Sequence, residues 1–342
     1  METKYIVKIA DGLGNQMFEY AWARALQKAY GGKIVLDSHA FKRNKIRSLS
    51  LQHFNLNEKV KICPSLVDKI LIYTMGAYKK IIDLIYQKKD YDTYVKKAHL
   101  GIYEQISYCK YDALIRPAFK INYIEGYWMG EGWFSSAVDE IRNELIVKTK
   151  IDQSNVNVLR EIQSCNSVCI HIRLGDFLQE PWNSMSRVCG NDYYNEAIRI
   201  ICERVEKPVF YLFSNRPKDF DYIKNNFKFD VDVKYMNLGN PDYEDLRLMY
   251  SCKHQIMSNS TYSWWAQFLN ANPDKVVVAP CMHNKHNKWN LQSLFMDNWI
   301  LVSPEFLNLE GMTATREVNS ISPRMPWEKV EEAAKKQNIK EI

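Results

Sequence analysis

The sequence predicts an α/β fold in two domains, and three observations carry that expectation: the length of the chain, the way it opens, and the alternation of its second half. A chain of 342 residues exceeds one core of ordinary size and suits two domains of roughly 150 residues each. Tyr5 to Ala10 is a short β-branched run that breaks at Asp11-Gly12-Leu13-Gly14-Asn15. Apolar residues then return at helical spacing from Gln16 to Tyr30, and after Gly31-Gly32 a second apolar run spans Lys33 to Leu36. Strand, glycine loop, helix and strand make a βαβ opening.

The second half alternates regularly. Strands are expected at Val168 to Ile172, Val209 to Phe213, Val231 to Tyr235, His254 to Met257 and Val276 to Ala279. Helices are expected at Tyr193 to Val205, Asp219 to Asn226, Asp242 to Tyr250 and Ser260 to Asn270. Strands separated by helices form parallel, doubly wound sheets, so this domain reads as Rossmann-like. The expected boundaries are 1–155 for an N-terminal α/β domain with a variable helical insert at about 60–120, 156–300 for the Rossmann-like domain, and 301–342 for a tail of unassigned role. Within the insert, lysines alternate with isoleucines and leucines from Leu66 to Tyr94 at a helical period. Two readings stay open there: core-facing helices, or a face that leans on a membrane or a lipid-linked substrate.

Composition narrows the function. Lys plus Arg number 46 against 40 Asp plus Glu, a formal charge of +6 spread along the chain. Such a balance suits an anionic small molecule or an acidic membrane surface better than duplex nucleic acid, and no helix-turn-helix, zinc or RNA-binding signature is present. The eight cysteines include no CxxC pair, so neither zinc nor a disulfide framework is expected. Buried free thiols in a reducing compartment fit better. The start METKYIVKIADG lacks the pattern of a signal peptide, and no apolar run is long enough to span a membrane. A cytoplasmic protein is expected, with peripheral contact with the inner membrane left open by the basic helices.

Polar signals cluster where an open α/β sheet binds ligands, beyond the carboxyl ends of its strands. His171-Ile172-Arg173-Leu174-Gly175-Asp176 closes one strand, Ser214-Asn215 another, and Ser258-Asn259-Ser260-Thr261 a third that leads into a helix. Arg173 can fork onto paired phosphate oxygens as the clamp for a departing diphosphate; an ion pair with Asp176 beside a core His171 is the structural alternative. Hydroxyls at a helix N-terminus can cradle phosphate, although capping alone needs only one of them. In the first domain, Gly12, Gly14, Asn15 and Gln16 form a turn able to hold an anion or sugar, or a purely structural turn.

Together, GLGNQMFEYA near the start, GYWMGEGWF at Gly126 to Phe134, HIRLGDF in the middle and SNSTYSWWAQFL later resemble the family 11 α-1,2-fucosyltransferases. The likeness runs from about residue 5 to about residue 280 and is weak between roughly 60 and 115. It implies a GT-B-like fold, two Rossmann-like domains facing a central cleft, and inverting transfer of L-fucose from GDP-fucose to the 2-hydroxyl of a terminal galactose. The implied acceptor is a glycan, lipid-linked in one version, of O-antigen or capsule synthesis. GDP-fucose is then a co-substrate, and no cofactor or metal is expected. The resemblance assigns Arg173 to the β-phosphate, Ser260 and Thr261 to phosphate contacts, and Asn15 and Gln16 to the sugar. His171, Ser214, Asn215 and Ser258 complete the donor set. Catalysis is expected from Arg173, Asn15 and Asp176, the last as general base, with Glu131 or no base at all as alternatives. Two positions depart from the family pattern: Leu174 stands where a second Arg is usual, and Asn215 where an Asp is usual. A transferase using another GDP-sugar or linkage, or a glycan-binding protein without turnover, are the competing readings.

Overall fold

The computed structural model describes residues 2–43, 47–88, 90–105, 115–175, 188–280, 294–296, 298–303, 306–307 and 316–317. Asp176 and nearly all of the tail expected at 301–342 lie outside them. The chain divides into two compact units, Met1–Thr149 and Lys150–Ile342.

The first unit is a parallel sheet of five strands in the order β3-β2-β1-β5-β4. Its strands are β1 (Lys4–Lys8), β2 (Lys33–Asp37), β3 (Val60–Lys61), β4 (Ile102–Glu104) and β5 (Ile121–Glu125). Helix α1 (Leu13–Tyr30) makes the crossover from β1 to β2, and the short α2 (His39–Arg43) follows β2. α1 is buried on nearly every side. Trp22 stacks on Trp128 with ring centroids 3.8 Å apart and planes 5° from parallel, and Trp133 meets Trp128 edge-on. The GYWMGEGWF stretch is therefore an aromatic brace for α1. α5 (Val138–Glu144) adds an ionic one: Arg24 Nε and Nη2 donate to the two Glu144 oxygens at 2.8 and 2.5 Å.

The stretch expected as a helical insert is more integral than that. It contains α3 (Leu66–Ile85) and α4 (Tyr91–His99), but its flanks are β3 and β4, the two edge strands of the sheet. Strands of two and three residues are too short to show a period in sequence.

The second unit is a seven-stranded sheet, β14-β12-β11-β10-β6-β8-β9, parallel except where β14 joins β12. After α6 (Gln153–Ser164) come β6 (Asn166–Ile172), β7 (Val188–Cys189), α7 (Asn191–Arg204), β8 (Pro208–Ser214), α8 (Pro217–Asn226) and β9 (Val233–Tyr235). Then follow α9 (Asp242–Ser251), β10 (His254–Ile256), α10 (Thr261–Leu269), β11 (Val277–Pro280), β12 (Ile300–Ser303), β13 (Phe306–Leu307) and β14 (Arg316–Glu317). Ser167 to Ile172 are all buried, as a central parallel strand covered on both faces requires. α7 turns Tyr194, Ala197, Ile198 and Ile201 onto the sheet at helical spacing. The described cysteines are free: Cys169, Cys189 and Cys252 are buried as expected, whereas Cys63 and Cys202 are exposed.

At the end of β1, Glu19 lies buried on α1, its Oε2 accepting from the Ala10 N–H at 3.0 Å. Burial pushes its carboxyl well above the ordinary range, and the opposing pull of the Ala10 bond is smaller. The native state keeps a proton that the unfolded chain releases, so stability falls as pH rises through the unfolded-state value. Glu19→Gln mimics the protonated form. It should raise Tm over the wild type at about pH 8 and give no gain near pH 4, since each unit of displacement is worth about 1.4 kcal/mol. Thermal unfolding across that range checks both the sign and the window.

Candidate donor site at a parallel strand edge

β6 is hydrogen-bonded to β10 on one side and β8 on the other, with Ile170 opposite Ile256 and Ile172 opposite Ser214. The carboxyl ends of β6 and β8 are therefore level, and β10 stops two residues earlier beside them. Ser214, buried, donates from Oγ to the Ile172 carbonyl at 2.9 Å, which ties the ends of β6 and β8. On the other side, His171 Nδ1 lies 2.5 Å from Ser263 Oγ and 3.0 Å from Ser258 Oγ, and the two hydroxyls are 3.0 Å apart. The Ser258 N–H also donates to Ser263 Oγ at 3.2 Å. This knot fastens the start of α10 to the end of β6. His171 is buried, and its pKa is lowered to about 3 by desolvation and then by the nearby Arg173 charge.

Arg173 is the first residue past β6 and is partly exposed. Leu174 turns the other way, fully buried in the apolar core with Ile172, Ile198 and Ile223. The position where the family usually has a second Arg is thus a core position in this chain. A cation nevertheless reaches this edge from β8. A Cβ built on Gly175, whose φ is +72°, would stand 3.6 Å from the Arg216 guanidinium carbon. Arg216 Nη2 bonds Asp219 Oδ1 at 2.8 Å, which steadies the guanidinium at the start of α8. Sequence reasoning missed Arg216, although it follows Ser214-Asn215 directly and precedes an Asp by three residues.

Asn215 Oδ1 is buried and accepts no hydrogen bond among the described residues. Ser260 caps α10, its Oγ accepting from the Tyr262 N–H at 3.3 Å. Thr261 opens the helix, so the positive end of the helix dipole and two hydroxyls lie at the same sheet edge. Trp264 and Trp265 are buried, with Trp264 Nε1 donating to the Leu294 carbonyl at 2.6 Å; they anchor α10 and are not sugar platforms. Seven of the expected donor residues, His171, Arg173, Ser214, Asn215, Ser258, Ser260 and Thr261, therefore belong to three adjacent strand ends of one sheet. Asp176 lies outside the described residues.

The other four expected residues sit at the end of β1 in the first unit. Gly12 caps α1 with φ −73°, a value open to any residue, and a Cβ there would meet only the Arg47 guanidinium at 3.8 Å. Gly14 is buried in the first turn of α1, and Asn15 is partly exposed beside it. Gln16 has a different task from the sugar contact expected of it. Its Nε2 donates to the Asp11 and Ser48 carbonyls at 3.0 and 2.9 Å, and its Oε1 accepts from the Ser50 N–H at 3.0 Å. With both donors committed, Gln16 braces the turn. Asp11, at φ +60°, is held in the left-handed region by that bond and by the Tyr127 hydroxyl on its carboxylate. Among the described residues no three His, Cys, Asp or Glu gather as metal ligands do.

A model of glycosyl transferase family 11 matches residues 5–303. The O-antigen biosynthesis glycosyltransferase WbnK of Escherichia coli is 29% identical over 318 residues, covering 85% of this chain and 98% of that protein. The alpha-1,2-colitosyltransferase of Escherichia coli is 24% identical over 305 residues, 87% and 98% of the two chains. The galactoside alpha-(1,2)-fucosyltransferase 1 of Aotus azarae is 29% identical over 181 residues, about half of each. Among solved structures, the fucosyltransferase NodZ from Bradyrhizobium superposes with a TM-score of 0.51 at 13% identity, over 93% of this chain and 99% of that one. That likeness is one of fold and places the chain among GT-B-like α/β proteins.

Proposed function

The chain belongs to glycosyl transferase family 11, and we propose that it is an inverting α-1,2-fucosyltransferase moving L-fucose from GDP-fucose to the 2-hydroxyl of a terminal galactose in an O-antigen or capsule glycan. One observation carries the donor assignment: Arg173, the hydroxyl residues Ser260 and Thr261 and the N-terminus of α10 follow the carboxyl ends of the neighbouring strands β6 and β10. A nucleoside diphosphate is the anion that such an edge suits best.

In this reading Arg173 meets the β-phosphate as the sugar's anomeric carbon loses its bond to it, and Ser260 and Thr261 hold the remaining phosphate oxygens. The leaving dianion is neutralised by protein groups, and stabilisation of that developing charge supplies most of the acceleration. Arg216 supplies the second cation. Asn215, whose buried Oδ1 is unsatisfied among the described residues, is assigned to the guanine N–H edge, which a carboxylate there would bind more strongly. His171 contributes no charge; it fixes the helix start through Ser258 and Ser263. Asn15, in the first unit, is assigned to the transferred sugar. Asp176 is assigned as the general base for the acceptor hydroxyl.

A second reading of the donor is supported by the colitosyltransferase, which matches over most of both chains: a colitosyl group would leave from the same diphosphate cradle. Incubation of each sugar nucleotide with a panel of β-galactosides in the presence of EDTA, followed by linkage analysis, separates the two. Exclusive use of the colitosyl donor would overturn the fucosyl assignment, and a strict need for manganese would overturn the metal-free clamp.

Arg173→Ala should leave a folded protein whose kcat/KM falls roughly a hundredfold or more, the scale of losing one charge-stabilising donor. Arg216→Lys keeps the charge and the pairing to Asp219 but loses the fork. It should raise the KM for the donor about tenfold with kcat little changed, as expected when a bidentate contact becomes a point charge. Steady-state kinetics on both variants, with circular dichroism as the folding control, decide the matter. Wild-type turnover by Arg173→Ala would refute the clamp.

A further inference from the structure

α3 is inside out. Its inward face carries Asp68, bonded to Lys4 at 2.8 Å and Lys61 at 3.0 Å, and Lys79, which reaches Asp83 at 2.6 Å, Glu104 at 3.1 Å and Glu125 at 3.2 Å. Asp68 and Lys79 are both buried. On the same side Ile72 and Ile82 are buried with Ile6, Val35 and Ile102, and Leu71, Met75 and Tyr78 pack against them half-buried. A second set of large apolar side chains points the other way. Leu66 is 76% exposed, Ile70 57% and Leu84 74%, and Tyr73, Ile81 and Ile85 are exposed as well. At 100° per residue these six fall within an arc of about 120°. A globular protein normally orients such a stripe toward its core, so an outward stripe on a helix of 20 residues marks a surface that meets something apolar.

The charges nearby say what. The outward arc holds no Asp or Glu, while Lys69 and Lys80 are exposed along its rim and Lys88 is exposed just past the helix end. Two copies of the chain packed stripe to stripe would bring these lysines toward one another, whereas anionic head groups would neutralise them. A helix with a leucine and isoleucine face and a lysine rim is the form of an interfacial anchor, and no described helix is long and apolar enough to cross a membrane. We infer that α3 is a peripheral docking helix that seats the first unit on the surface of an anionic lipid bilayer. The aromatic Tyr73, its ring tilted against that of His39 with centroids 4.8 Å apart, would lie at the level of the head groups. The proposal does not depend on which sugar the enzyme transfers.

Sedimentation of the full chain with phosphatidylcholine vesicles, with and without phosphatidylglycerol, tests it. The wild type should bind the anionic vesicles and release at high salt. Ile70→Glu with Leu84→Glu, both at exposed positions, should lower binding about tenfold or more, two apolar anchors being replaced by charges the surface repels. Lys69→Glu with Lys80→Glu should lower binding to anionic vesicles alone. Thermal unfolding of each variant at the wild-type temperature shows that the fold is intact. Failure of the wild type to bind, equal binding to neutral and anionic vesicles, or undiminished binding by the Ile70 and Leu84 variant would each overturn the inference. So would light scattering that finds a lipid-free dimer dissolved by that same variant, since the stripe would then belong to a second copy.

Discussion

The parallel ladder that sets β6 between β8 and β10 is the constraint on which the rest of the second unit depends. β6 is buried on both faces, so polar residues can leave it only at its carboxyl end. The registers that pair Ile172 with Ser214 and Ile170 with Ile256 bring three such ends together at one edge of the sheet. Hydrogen bonds at each junction, Ser214 to the Ile172 carbonyl and His171 to Ser258 and Ser263, then hold the ends there. A slip of one residue would turn Arg173 into the core and Leu174 out of it. The apolar pattern of the strand thereby decides where the guanidinium stands.

How much of this was legible follows from the same physics. The strands and helices of the second half were readable because each is long enough to show its period, and the glycine-rich or hydroxyl-rich breaks between them mark their ends; β8, for instance, runs Pro208–Ser214 where Val209 to Phe213 was expected. The first unit was harder. β3 and β4 are two and three residues long, below any period, and they are strands only because neighbours complete their hydrogen bonds. Side-chain roles were less legible still. Gln16 follows a glycine turn, which suggests a ligand, and only the fold shows that residues 48–50 return to take its amide. Leu174 reads as a lost cation until its burial shows that no cation was accommodated at that position.

Arg216 completes that thought. The edge needs positive charge beyond Arg173 if a diphosphate is to leave it, and the adjacent strand provides a guanidinium without burying one beneath the sheet. Placing it just past β8, at the cap of α8, costs little, because Asp219 in the first turn of α8 both pairs with it and complements the helix dipole. Gly175 keeps the approach open: with its φ at +72° and no side chain, it lets the Arg216 head lie against the backbone that follows Arg173.

The charge state of His171 settles how the edge uses these groups. Burial alone disfavours the imidazolium, and Arg173 beside it adds repulsion, so the ring is neutral throughout the physiological range. A neutral ring can accept or donate at Nδ1 according to which serine hydroxyl turns toward it, and so it joins the two strands by hydrogen bonding without competing for the anion. Were it protonated, a buried cation would face Arg173 and the helix N-terminus, and the three positive ends would repel one another. The knot of imidazole and hydroxyls thus lets the fold place one guanidinium at the mouth of β6 without adding a buried charge beside it.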